Sequence, residues 1–256
     1  MPKVVRLNQL NCTVPGGPLK CRYHSRLLKK HPSAKQFKSL ENVFYEVDKQ
    51  FAPSQVLESQ WKTSSDRADA AFAHGEMADQ LESTYSSEER HALYSYSDEH
   101  GSLPFRLVLS NPEGSYSWNH LTKETVLNRV NRIDQVIEQY GVDVSQEPLW
   151  RGVKELHDLK GLKRGDTIQY PSYVSTSKDR EVALSFSTRD YPILVQMESK
   201  VGLPVHGYYG LAEQEILLPR GLTFKVVDIA ENVQVNTTNS SHPEVRNVTV
   251  IKLAEV

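Results

Sequence analysis

Cysteine is nearly absent: Cys12 and Cys21 are the only two in 256 residues. They flank the turn-rich TVPGGP, which allows one small disulfide loop, but a disulfide framework is excluded and reduced thiols are expected. Long apolar runs are missing too. Nothing approaches membrane-spanning length, and no early window joins a charged start to an apolar segment and a small-residue cleavage site, so a soluble intracellular chain is expected. The Asn-x-Ser/Thr triplets at Asn11, Asn236, Asn239 and Asn247 are then incidental. Thirty basic residues against thirty-two acidic ones leave a net charge of -2, which weakens any reading as a duplex nucleic-acid binder. Nine histidines occur without HExxH or a Cys–His pairing, and no Asp-rich calcium spacing is seen, so no metal is expected. Neither GxxxxGK nor GxGxxG is present, which excludes the P-loop and Rossmann ways of holding a nucleotide.

What is there suffices for one catalytic-sized domain, with 38% hydrophobic residues. Residues 1–33 are rich in Pro, Gly and Lys without a lasting period and read as a basic, poorly structured arm. The stretch KCRYHSRLLKKHPSAKQFK, residues 20–38, suits an acidic partner or a polynucleotide, and equally a solvated arm. Residues 34–84 read as a helical extension. Phe37, Leu40, Val43, Phe44 and Val47 predict a helix within 35–62, and TSSDRADAAFAHGEMADQL a weaker second one. SSEERHALYSYSDEHGS opens on a capping Ser and ends in Gly, the punctuation of a short helix. The clearest helix runs from Thr122 to Tyr140, with Val126, Val130, Ile133 and Ile137 in one stripe and Gly141 as its stop.

After Gly141 the pattern changes to strands: PLWRGV, TIQYPSYVSTS, ILVQMES, QEILLP, LTFKVVDIA and VTVIKLAEV. One short helix, REVALSFS, interrupts them behind a capping Asp179. Helices first and strands afterwards predict an α+β domain with a largely antiparallel sheet.

Three polar spots lie among the strands. Arg151, between Trp150 and Gly152, is either a surface snorkel or a phosphate ligand beside a residue that permits close backbone approach. In YVSTS, Ser175 and Ser177 would share one strand face and Thr176 the other, although such hydroxyls also merely end strands or cap helices. In EQEILLP, strand alternation would put Glu213 and Glu215 on one face with Gln214 pointing away. Two like charges there require a charged partner, a shifted pKa or an exposed edge.

Taken in order, Arg, then Ser-Thr-Ser, then Glu-x-Glu, each on its own strand, the set resembles the mono-ADP-ribosyltransferases of the Arg-Ser-Glu class, the cholera-toxin-like and clostridial C2-like group. The resemblance spans residues 85–256 and implies a two-sheet catalytic core there; PLWRGV and EQEILLP look most similar to the small arginine-modifying transferases of T-even bacteriophages. It implies transfer of ADP-ribose from NAD to an arginine of a target protein, in the cytoplasm of a host or target cell. Glu215 would meet the charge developing on the ribose, Glu213 would orient the acceptor guanidinium, Arg151 would grip the dinucleotide phosphate, and Ser175 would hold Glu215. Gly152, Thr176 and Phe186 would complete the NAD site, and Tyr208 and Tyr209 would face the protein substrate. Phe186 also reads as a core residue packed with Val182 and Ala183, and the two tyrosines as ordinary loop residues. The competing readings are an NAD glycohydrolase, in which water replaces the acceptor, and a non-catalytic module that binds protein or RNA through the basic arm.

Overall fold

Helix starts in this chain are written in side chains. Ser86 and Glu89 form a reciprocal capping box, the Glu89 N–H donating to Ser86 Oγ at 3.2 Å and the Ser86 N–H to Glu89 Oε2 at 2.7 Å. Thr122 Oγ1 accepts the Thr125 N–H, and Asp179 accepts those of Glu181 and Val182. The computed structural model describes residues 4–6, 64–97, 102–114, 117–118, 121–153, 159, 161–187, 192–207, 210–237 and 244–256. The helix predicted within 35–62, the basic segment 20–38, both cysteines, Tyr208 and Tyr209 lie outside these residues.

Helices α1 (Ser64–Glu82), α2 (Ser87–Ser97), α3 (Ser102–Ser110) and α4 (Lys123–Tyr140) come first. Among them, β2 (Ser117–Trp118) and β3 (Leu121–Thr122) form a two-stranded ladder of their own. The remaining strands are β1 (Val4–Arg6), β4 (Val142–Asp143), β5 (Leu149–Val153), β6 (Thr167–Gln169), β7 (Val174–Ser177), β8 (Ile193–Glu198), β9 (Val201–Gly207), β10 (Gly210–Leu218), β11 (Thr223–Thr237) and β12 (Glu244–Glu255). The short helix α5 (Arg180–Ser185) follows β7. Among the described residues no helix is long and apolar enough to cross a membrane.

These strands join into one sheet of order β1-β6-β11-β12-β8-β5-β7-β10-β9-β4, antiparallel except for the β1–β6 and β12–β8 pairs. The expectation of two sheets is met differently. A single ladder runs through all ten strands, but between β5 and β7 it narrows to one residue pair, Trp150 with Ser177. Both sides of that narrow join pack into a common core: Val195 and Met197 of β8, Ile251 and Leu253 of β12, and Ile216 and Leu218 of β10.

Leu217, between those two β10 residues, joins Leu203 and Val205 of β9 in the opposite core, against Val130, Ile133 and Ile137 of α4. The run Ile216, Leu217, Leu218 is unbroken because β10 is buried on both faces, each residue no more than 1% exposed. Such burial is worth about 2 kcal/mol per side chain. A third cluster seats Ala183 and Leu184 of α5 on Trp150, Leu194 and Val250.

Several boundaries depart from the sequence reading. TIQYPSYVSTS is two strands, parted at Tyr170–Pro171–Ser172, where proline has no N–H to give a ladder. VGLPVHG is a full strand despite its Pro and Gly, and SLPFRLVLS is a helix. Within the segment read as an arm, Val4–Arg6 run parallel to β6 at the sheet edge. Helix α1 packs against β9 and β10.

Candidate active site

Strands β5, β7 and β10 are neighbours in the sheet, so Arg151, Ser175 and Glu215 meet although 24 and 40 residues separate them in sequence. Arg151 Nη1 donates to the Ser175 carbonyl at 2.7 Å. The Ser175 hydroxyl bonds the Glu215 carboxyl. Pairing of Leu217 with Ser175, and of Glu215 with Ser177, sets Ser175 and Glu215 diagonally on one face. Burial pushes the Glu215 carboxyl up to about 7, the Glu213 charge adds to that rise, and the Ser175 hydroxyl and Arg151 oppose it.

The route by which Glu213 comes near Glu215 differs from the strand alternation expected. Gln214 has φ of 44°, a left-handed conformation that costs a non-glycine residue about 1 kcal/mol, and the β9–β10 register shifts between Gly210 and Glu215. A bulge therefore carries the two carboxylates, and Glu213, Gln214 and Glu215 are all buried. It is pinned from β7: Ser177 Oγ donates to the Glu213 carbonyl at 2.6 Å, and the Lys178 N–H to that of Gln214 at 3.2 Å.

Gly152 sits where α5 crosses β5, and a Cβ there would lie 1.9 Å from the Ala183 carbonyl oxygen and 2.8 Å from the Ser187 nitrogen. Backbone packing alone demands glycine. Phe186, half-buried, caps α5 and precedes Ser187, which brings it alongside Gly152. Thr176 is not part of the group. It is buried on the other face of β7, and its hydroxyl is spent on the Ile216 carbonyl at 2.7 Å. Tyr208 and Tyr209 lie outside the described residues.

Other side chains join the site without any sequence signal. Buried Tyr96 of α2 places its hydroxyl 3.4 Å from Ser175 Oγ, and burial pushes its phenol up. Arg67 of α1 donates through Nε to Asp179 at 2.6 Å and through Nη1 to Glu181 at 2.5 Å, bracing the turn after β7. Among the described residues no group of three or more His, Cys, Asp or Glu could hold a metal. What the arrangement offers is a carboxyl that ionises near neutrality, held by a hydroxyl, with a guanidinium beside it and a second carboxyl two residues away in sequence. That set suits stabilisation of a cation forming on an anionic substrate.

Residues 73–248 match the family model described as ADP-ribosyltransferase exoenzyme. No curated protein matches the chain in sequence. Among solved structures, the Vis toxin, an ADP-ribosyltransferase from Vibrio splendidus, is similar with a TM-score of 0.53 at 17% identity, over 78% of this chain and 88% of that one. Vis has also been solved with agmatine. The C2-I component of the Clostridium botulinum C2 toxin gives 0.50 at 17% identity, over 73% of this chain and 46% of that one. The C. perfringens toxin BECa, solved with NADH, gives 0.53 at 15% identity, over 74% and 48%.

Proposed function

Because the chain belongs to the ADP-ribosyltransferase exoenzyme family, we propose that it transfers ADP-ribose from NAD to an arginine side chain of a host or target-cell protein and releases nicotinamide. The observation that carries this reading is the meeting of Arg151, Ser175 and Glu215 from three adjacent strands. The bond from ribose C1′ to the nicotinamide nitrogen breaks, and its electron pair leaves with nicotinamide. Positive charge then develops on the ribose, where the Glu215 carboxylate stabilises it in the transition state more than in the ground state. Arg151 spends one N–H on the Ser175 carbonyl, and the rest of its fork is suited to the dinucleotide phosphate. Ser175 fixes the direction of the Glu215 carboxyl, and Phe186 covers the nicotinamide ring beside Gly152.

Glu213 supplies the acceptor side. An acceptor guanidinium is positively charged, so the carboxylate attracts and orients it, and takes the proton lost as the guanidine nitrogen bonds to C1′. Agmatine, the compound bound to Vis, carries a guanidine group, which supports arginine as the acceptor here. NADH bound to BECa likewise supports NAD as donor. Tyr208 and Tyr209, in the segment leading to Glu213, face the target protein in this account.

The test is to incubate the protein with labelled NAD and either agmatine or a cell lysate, and to locate the label by mass spectrometry. Label is expected on agmatine and on arginines. Glu213→Gln is expected to cut transfer at least 10-fold while sparing NAD hydrolysis. Modification confined to another residue type would overturn the arginine assignment.

A further inference from the structure

The bulge at Gln214 needs an explanation for its persistence. A left-handed non-glycine residue beside a broken register survives only where its surroundings over-determine it. On the β7 side those surroundings are the Ser177 hydroxyl and the Lys178 N–H. On the β9 side the ladder stops: the register is set by the pair Glu215–Val205 and resumes only at Gly210–Gly207. Into this gap α1 inserts His74. Its Nε2 lies 3.2 Å from the carbonyl oxygen of Val205, the residue paired with Glu215, and its ring also reaches the Glu215 main chain.

His74 is 6% exposed and arrives from 131 residues before Val205. Burial holds its imidazole below the ordinary histidine range, so it is neutral and donates one N–H at a time. The small residues Gly75 and Ala78 bring this part of α1 close to the strands, and both are buried.

We propose that His74 is a positioning residue that ties α1 to β9 and β10 at the bulge, and so fixes the direction in which the Glu215 carboxyl leaves its strand. Its role as a positioner of the reaction rests on the function proposed above; its role in fixing Glu215 does not. Nothing in the sequence marks it, since HGEMADQL contains no motif and the partners are main-chain atoms far along the chain.

The test compares His74→Phe, which fills the space without a donor, with His74→Gln, which keeps one. Two quantities are read: the titration of the Glu215 carboxyl, followed by carbon-13 NMR, and steady-state NAD cleavage. In His74→Phe the Glu215 midpoint is expected to move by at least about half a unit, because its hydrogen bond to Ser175 and its distance from Arg151 both change. The turnover number is expected to fall at least about 10-fold while KM for NAD changes less than about 3-fold, the signature of a misplaced catalytic group. His74→Gln restores both. Gln80→Ala, at an exposed position of the same helix, leaves both unchanged. Should His74→Phe not fold, His74→Met carries the same expectation.

A Glu215 midpoint unmoved in the folded variant overturns the proposal, whatever activity does. A moved midpoint in a protein that never cleaves NAD leaves His74 as the anchor and removes the functional reading instead.

Discussion

At the scale of single residues, Glu215 joins chemistry to stability with opposite signs. Its carboxyl titrates near 7 when folded, against 4.5 unfolded. Between those values the folded state binds more protons, so stability falls as pH rises through the window, by up to on the order of 3 kcal/mol. Glu215→Gln should therefore raise the melting temperature little at pH 5 and clearly at pH 8, a comparison that calorimetry makes directly. In the proposed reaction activity runs the other way, the ionised form being the one that would meet the ribose cation: kcat/KM for NAD cleavage should rise with pH through about 7. Removing the Glu213 charge lowers the Glu215 pKa, so Glu213→Gln should move that rise to lower pH in a hydrolysis assay. Gly152 gives a steric prediction. Gly152→Ala forces a methyl against the Ala183 carbonyl and should cost about 2 kcal/mol or more, seen as a drop of several degrees in melting temperature.

At the scale of elements, caps of the same kind differ in consequence. Thr122 caps α4 at the surface, so Thr122→Ala should cost about 1 kcal/mol and leave NAD cleavage unchanged. Asp179 caps α5 and also receives Arg67, so Asp179→Ala should lower both stability and turnover, because the turn after Ser177 loses its brace. The elements also show what a sequence carries. Thr122 to Tyr140 is legible because its stripe and its stop residue agree, and α5 because Asp179 precedes it. SLPFRLVLS hides a helix because it is short and carries Pro104, and VGLPVHG hides a strand because Gly and Pro argue against one. Arg151, Ser175 and Glu215 could be read because each sits in a strand with its own pattern. His74, Tyr96 and Arg67 could not, because each acts on a partner 79 to 131 residues away, and only the packing of α1 and α2 brings them there. Gln214 is a related case: alternation puts the two glutamates on one face, whereas a bulge held by Ser177 is what carries them.

At the scale of the whole molecule, the site lies where the ten-stranded sheet is joined by a single pair between β5 and β7. Arg151 stands on one side of that join and Ser175 and Glu215 on the other, so the proposed catalytic group is assembled only when both parts of the sheet pack on their common core. Helix α1 reaches the turn after β7 with Arg67 and the β9–β10 gap with His74, which makes it part of the working unit. The most direct measurement of this account is nicotinamide release from NAD by the purified protein, set beside the folded Glu215→Gln variant. Release by the wild type, with a turnover number at least about 100-fold lower in the variant, is the predicted result. A well-folded wild type that leaves NAD intact, or a variant that cleaves it undiminished, would contradict it.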